Sequence, residues 1–441
     1  MRNSSEEFSS SSPKEEESRD ILKSAGVLTL SQYTASLLGL LTSIIAARLL
    51  GSYKFGITAL LFSYPQLIFS FFSIKSFSVT TRYISIFRKE EKKEALIGIC
   101  KLGFLLDFII ALIVLGIVSL TAKWVGIKFL HVREHWKFMW IIASVFPLLS
   151  LTSTSRAVLI SWEYFGKLAF FQVLEKILQF ILVPLLIVRG WGISGMVWGI
   201  VTGQALSNIV FFIYTLFFLH KHFPAWWRVS FRVLHGYIKE VVNLFFQNYW
   251  IVTMGSFLTQ IPLLLLGNLR GPEEAGFYRI AQSLSLGITY IVGALNKVVY
   301  PRLSTLWAVG EYSKIRKIIW RWSIRYGFPI GTILALLIFF LTPLLHLVLG
   351  RSYIPALSGI RWFLLGSVAS LFFFWLNPLY YATGKINLWA KGYTINVFLV
   401  VILIYSIITD YGFIGVAILV SLTQVMFIIG MVILARIKGL I

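Results

Sequence analysis

Eleven charged residues lie inside stretches of the chain that are apolar enough to be membrane spans: Arg48, Lys101, Asp107, Arg156, Glu175, Lys176, Arg279, Lys297, Arg321, Arg325 and Lys391. A charge at the centre of a bilayer costs roughly 2.5 to 3.5 kcal/mol on insertion scales, so such residues either face a water-filled interior or extend their head groups to the interface. Nine of the eleven are basic. That bias fits a cavity that receives an anion, whereas a drug exporter coupled to protons or sodium would more naturally line its cavity with carboxylates. Arg279 is the clearest interior candidate: Gln282 and Ser283 follow it at i+3 and i+4, giving a polar stripe on an otherwise apolar helix. Gln172, Glu175 and Gln179 repeat the three-then-four spacing and set a carboxylate between two amides. That patch reads equally well as a proton or cation site and as hydrogen bonding between helices. Asp107 is a further carboxylate within a span, with Lys101 six residues away and off its helical face, so its role stays open.

The elements that must position these residues are membrane helices. Of the 441 residues, 58% are hydrophobic and 13% charged, and the mean hydropathy is +0.81, which excludes a soluble domain. A hydrocarbon core about 30 Å thick needs roughly 20 residues of helix. Segments meeting this fall at about 24–49, 55–77, 95–119, 138–160, 168–188 and 192–219, then at 237–266, 276–300, 318–349, 354–378, 387–408 and 412–435. They are continuously apolar and too long for the alternating strands of an outer-membrane barrel. The predicted class is an all-α integral membrane protein of about twelve transmembrane helices. A polar head over 1–20, with Ser9 to Ser12 and Glu15 to Glu17, is expected to be a disordered tail. It has no basic region leading into a short apolar core, so no cleaved signal peptide is expected. The lone cysteine, Cys100, excludes an internal disulfide.

The chain repeats itself at an offset of 220 residues. Gly51 and Gly56 recur as Gly271 and Gly276, while Gly192, Gly195 and Gln204 recur as Gly412, Gly415 and Gln424. Two six-helix bundles follow, 21–219 and 237–441, joined by an interfacial linker over 220–236 that carries Trp226 and Trp227. Six crossings bring both halves in from the same side, so the repeat is parallel, with its pseudo-axis along the membrane normal. Arg279 breaks it, since its counterpart is Ala59. Basic residues crowd the loops at one end: Lys75, Arg82, Arg88, Lys89, Lys92 and Lys93; the linker; and Lys297, Arg302, Lys314, Arg316 and Lys317. The positive-inside rule makes that end cytoplasmic, with both termini inside. Lys123, Lys128, Arg133 and Lys137 are an exception on the other side.

A net charge of +22 is explained by loops that meet anionic membrane lipids, so no nucleic-acid partner is expected. His131, Glu134 and His135 form H-x-x-E-H, but in a short loop with no further ligand near, and no metal site is assigned. No D-x-D, Walker A or G-x-S-x-G motif occurs, which leaves an ATP-driven pump or a nucleotide-sugar glycosyltransferase unsupported. No cofactor is expected.

The run Ala47-Arg48-Leu49-Leu50-Gly51 with Phe55-Gly56, then Thr81-Arg82-Tyr83-Ile84, Phe165-Gly166-Lys167, Tyr300-Pro301-Arg302-Leu303-Ser304, Thr383-Gly384-Lys385 and the turn from Tyr411 to Gly415, resembles the polysaccharide-transporter branch of the multidrug/oligosaccharidyl-lipid/polysaccharide exporter superfamily. The resemblance implies a V-shaped pair of six-helix bundles around a cationic cavity. It also implies flipping of undecaprenyl-diphosphate-linked oligosaccharide across the cytoplasmic membrane by alternating access, in a monomeric unit and not as an enzyme. Arginines in the second and eighth spans handle substrate in such proteins, and Arg82 and Arg279 occupy those regions. On this reading Arg279 and Lys297, with Arg48 and Arg82, attract the diphosphate, and Glu175 or Asp107 couples transport to H+ or Na+. The rivals are a drug/cation antiporter of the same superfamily and a membrane-embedded O-antigen polymerase or ligase. The latter typically carries a large external loop, and no outward loop here exceeds about twenty residues.

Overall fold

A bilayer offers no water to backbone amides, so a chain this apolar must satisfy them within helices. The computed structural model describes the backbone of residues 13–72 and 76–441, with their side chains except those of 13–25, Lys239, 242–252 and Leu344. Among the described residues there is no strand. Helix α1 (Pro13–Phe72) holds the first crossing and most of the second, and α2 (Ser76–Lys89) continues the second. Then come α3 (Lys93–Trp124), α4 (Phe138–Ala143) with α5 (Phe146–Ser161), α6 (Phe165–Leu186) and α7 (Gly192–His222). The second half runs through α8 (Ile238–Leu269), α9 (Pro272–Ala308), α10 (Tyr312–Trp322), α11 (Phe328–Phe339) and α12 (Leu341–Leu349). It ends with α13 (Leu357–Phe372), α14 (Leu376–Ala382) and α15 (Ile386–Ile437). Eight stretches are long and apolar enough to cross a membrane, and three of them, 47, 58 and 52 residues long, break at Gly51, Gly190 and Gly412 into two crossings each. With α8 the total is twelve. Of the polar head, residues 1–12 lie outside the described residues, as does Lys75, and from Pro13 the chain is helical. The second crossing runs on past residue 77 to Lys89, because α2 is amphipathic and buries Val79, Tyr83, Ile84 and Phe87.

The glycines of the repeat have a conformational cause. Gly51 (φ 73°, ψ 169°) and Gly271 (φ 94°, ψ 175°) occupy a backbone region that is essentially closed to other residues, and the chain reverses at each. Gly192 and Gly412, at φ 52° and 55°, likewise match. Gly56 and Gly276 serve a different purpose. A Cβ on Gly56 would collide with the Pro272 carbonyl, and one on Gly276 would collide with the Ser52 carbonyl, which is the reciprocal contact of a two-fold axis. Gly195, Gly199 and Gly203 of α7 lie against the α6 backbone at Leu186 and Val183 and against Gln179, so this stripe lets two helices approach closely.

The apolar core shows how the halves are joined. At the end that carries Gly51 and Gly271, one continuous cluster includes Leu60 and Val197 from the first half and Leu266, Tyr278 and Phe413 from the second. At the basic end the core divides. Tyr83, Phe87, Ile99 and Val158 form one cluster in the first half, and Leu303, Ile315, Leu379 and Tyr380 form a separate one in the second. Two bundles that share a buried core at one end and keep distinct cores at the other make a V that opens toward the basic end, where α1 and α9 still touch through Tyr33 and Tyr290. The linker is strapped to the first half: Lys101 donates to the carbonyls of Trp227 (2.9 Å) and Val229 (2.6 Å), and Gly98 makes room for Val233 and Leu234. Beside it Lys92, in the turn after α2, is held protonated, its pKa raised by hydrogen bonds first to Glu90 and then to Tyr237.

Candidate functional site

Helix α9 lines the seam between the halves. Arg279 sits about two turns in from the Gly271 reversal, near the apex of the V, and its Nη1 donates to Gln282 Oε1 at 2.9 Å. Gln282 Nε2 donates to the Thr259 carbonyl of α8 at 3.2 Å, and Ser283 meets Ser43 of α1 at 3.1 Å. The i+3 and i+4 stripe is thus a real polar seam that reaches both halves. Among the described residues there are four ion pairs, and Arg279 belongs to none. Its side chain is half-buried and has an amide, not a carboxylate, as its neighbour, which leaves guanidinium donors available to an anion.

Lys297 lies eighteen residues further along α9, roughly 27 Å and five full turns away, which places it on the same face as Arg279. It is exposed, within 3.3 Å of Thr29 and Gln32, and 5.6 Å from the ring of Tyr33, which packs edge-on against Tyr290. One cation at the mouth and one at the apex therefore share a face. Arg82 and Arg48 stand apart from them. Arg82 pairs with Glu240 at 3.7 Å across the basic end, both side chains more than half exposed. Arg48 is exposed at the closed end and donates to the Leu347 carbonyl at 2.9 Å, satisfying one of the free carbonyls in the last turn of α12.

The two acidic candidates fall together in the first half. Asp107 is 6% exposed and accepts from Thr154 at 2.8 Å; Gly103, where a Cβ would crowd the Thr154 and Thr80 hydroxyls, allows α3 this close to α5. Asp107 lines a cavity of about 420 Å³ with Arg156, Gln172 and Ser150. Glu175 lies one turn from Gln172, and one carboxylate oxygen takes donors from Lys176 (3.0 Å) and Gln179 (3.1 Å). That triangle is closed by Lys176 donating to Gln179 at 3.1 Å. Arg156, which feels the Glu175 charge, has a buried Nε with no partner among the described residues. Sequence reasoning named Arg156 only as a charge within a span; Asp107 and Gln172, which share its cavity, lie on other helices. It also missed a second cavity, in the C-terminal half, lined by Asn296, Asn377, Asn396 and Gln424, of which only Gln424 carried a signal, as a repeat of Gln204.

Twelve crossings in two fused six-helix bundles, with basic side chains on the seam and no strand among the described residues, define an all-helical membrane protein with the exporter-superfamily fold. The polysaccharide biosynthesis protein family matches residues 21–307, well over half of the chain, and this protein belongs to that family. Three solved structures share the fold. A multidrug resistance MATE family transporter of the MOP superfamily in an inward-facing conformation superimposes with TM-score 0.71 at 15% identity, over 92% of this chain and 94% of that one. The lipid II flippase MurJ in an inward closed conformation gives 0.69 at 16% identity, covering 94% and 88%. A MOP superfamily transporter from Pyrococcus furiosus, described by the reverse polarity of its binding pocket, gives 0.66 at 13%, covering 95% of both chains. At these identities the likeness establishes the fold. No curated protein matches in sequence.

Proposed function

We propose that this protein is a flippase that carries a lipid-linked oligosaccharide across the cytoplasmic membrane by alternating access, for surface polysaccharide assembly. The observation that carries the reading is Arg279, a cation at the apex of the V with an amide but no carboxylate beside it. A lipid diphosphate cannot bring its charge through hydrocarbon, and a guanidinium supplies paired donors to phosphate oxygens. Lys297 draws the diphosphate in at the basic mouth, which is cytoplasmic together with both termini, and Arg279 receives it. The prenyl tail stays in lipid, and rocking about the Gly56–Gly276 contact exposes the head group on the other side.

Coupling to a cation falls to Asp107, because its carboxylate faces a cavity while Glu175 is engaged by Lys176 and Gln179. Arg82 and Arg48 act at the two ends of the bundle, the first on the Glu240 latch and the second on the end of α12. The transport unit is a single chain and performs no covalent chemistry.

The test is reconstitution into vesicles with undecaprenyl-diphosphate-linked oligosaccharide and a leaflet-accessibility readout. Losing a charge-assisted hydrogen-bonding pair corresponds to roughly 10- to 100-fold, so Arg279→Ala is expected to slow flipping by at least about tenfold at unchanged folded yield. Wild-type rates in that variant would remove Arg279 from the mechanism. Drug-stimulated proton or sodium exchange, with no flipping by the wild type, would favour the cation antiporter.

A further inference from the structure

The C-terminal half encloses a cavity of about 280 Å³ whose lining includes no charged side chain among the described residues. One wall is aromatic: Trp389 packs edge-on to Phe427 with ring centres 5.0 Å apart, and Tyr393 meets the same phenyl ring at 5.9 Å. The other walls bring four carboxamides from separate crossings. Gln424 uses its Nε2 on Ser370 at 2.8 Å, leaving its carbonyl oxygen to the cavity. Asn296, oriented so that its Nδ2 donates to the carbonyls of Phe374 and Val292, likewise presents its oxygen. Asn377 has no hydrogen-bond partner among the described residues, and Asn396, 6% exposed, has a buried Oδ1 with none.

The buried, unpartnered oxygen of Asn396 costs free energy unless something fills the site, and with the three further amides around it this lining is built for an occupant. The occupant must be neutral, must offer hydroxyl or amide donors around its edge, and must present a flat apolar face to Trp389. A cationic drug would lack a carboxylate here, and a lipid chain would leave every amide unmet. We propose that this cavity is a sugar-binding subsite, in which a pyranose ring stacks its C–H face on Trp389 while Asn296, Asn377, Asn396 and Gln424 bond its hydroxyl edge. The choice of a glycan as occupant rests on the flippase reading. The cavity then holds the sugars of the cargo while the seam holds its diphosphate.

The experiment is saturation-transfer NMR on the full chain in lipid nanodiscs, with free methyl glucoside, galactose and N-acetylglucosamine as probes. Wild type is expected to transfer saturation to the ring C–H protons of at least one sugar, Trp389→Ala to lower that signal at least fivefold, and Arg302→Ala, at the exposed basic end, to leave it unchanged. Should Trp389→Ala fold poorly, Asn377→Leu on the half-buried rim is expected to give the same loss. No transfer to any sugar in wild type, equal transfer in the folded cavity variants, or displacement of the sugars by tetraphenylphosphonium would each overturn the subsite. Sugar binding by a protein that flips nothing in vesicles would keep the subsite and discard the flippase reading.

Discussion

The two cavities occupy equivalent places in the two halves, and what separates them is charge. Ser150, Ser153 and Arg156 line the first; Ser370, Phe373 and Leu376, each 220 residues on, line the second. Where the first half keeps Asp107, the repeat puts Gly327, and a Cβ there would crowd the Leu371 carbonyl and the Phe374 ring. The same bundle geometry thus leaves an ionisable hollow in one half and an uncharged, aromatic and amide-lined one in the other. The repeat gives each half a pocket, and the residues that differ at matching positions make the two unlike. A cargo with a charged diphosphate and neutral sugars needs both kinds of surface, and a coupling ion needs the first.

Exchanging the charges should break that contrast with the largest effect. Leu376 is 1% exposed, so Leu376→Arg forces a guanidinium into the neutral cavity at roughly 2.5 to 3.5 kcal/mol. A lower melting midpoint or lost folded yield is the expected outcome. An unchanged melt would show that the second cavity tolerates a charge as the first does. In the first half, Asp107→Asn should keep the fold, since an amide still accepts from Thr154, while flipping loses its dependence on an imposed cation gradient. A gradient response equal to wild type would move coupling elsewhere. Next in size is Asn396→Leu, which removes the unpartnered buried oxygen and is expected to stabilise the protein by about 1 kcal/mol while impairing sugar binding. A destabilised variant would mean that the oxygen has a partner in the empty protein.

Much of the frame was legible in the sequence because it depends on local conformation. The Gly51 and Gly271 reversals and the Gly192 and Gly412 kinks need positive φ, so glycine had to recur at that offset. The stripe of Arg279, Gln282 and Ser283 was legible because a helix brings i, i+3 and i+4 to one face. The cavities were not. Asn296, Asn377, Asn396 and Gln424 come from four crossings with no shared spacing, and Asp107 and Arg156 lie on different helices. The splitting of the core into a fused end and an open end is a property of packing between halves and leaves no period in either one.

Smaller effects test how far the two halves differ outside the cavities. Glu163 turns the chain at φ 60° where the second half uses Gly384 at φ 69°. Glu163→Gly is expected to be neutral or stabilising by a few tenths of a kcal/mol, and Gly384→Ala to cost about 1 kcal/mol. Equal melting of both variants would show that the turns are set by packing and not by φ.

The smallest effect is expected at the basic end. Arg82 meets Glu240 at 3.7 Å with side chains 55% and 60% exposed, while its counterpart Arg302 is exposed and makes no ion pair among the described residues. Water and salt screen so open a pair, and holding two long side chains together offsets most of the attraction, so Arg82→Ala should change stability by only a few tenths of a kcal/mol. Arg302→Ala should do the same. The two variants are expected to part in transport, because Arg82, unlike Arg302, makes an ion pair with α8 at the mouth of the V. Loss of that latch should raise the rate at which the basic end opens, read as faster accessibility of a cysteine label placed at Tyr33 in a Cys100→Ala background. Equal labelling in the two variants would mean that the mouth is held by packing around the linker, and that the Arg82 pair is an incidental surface contact.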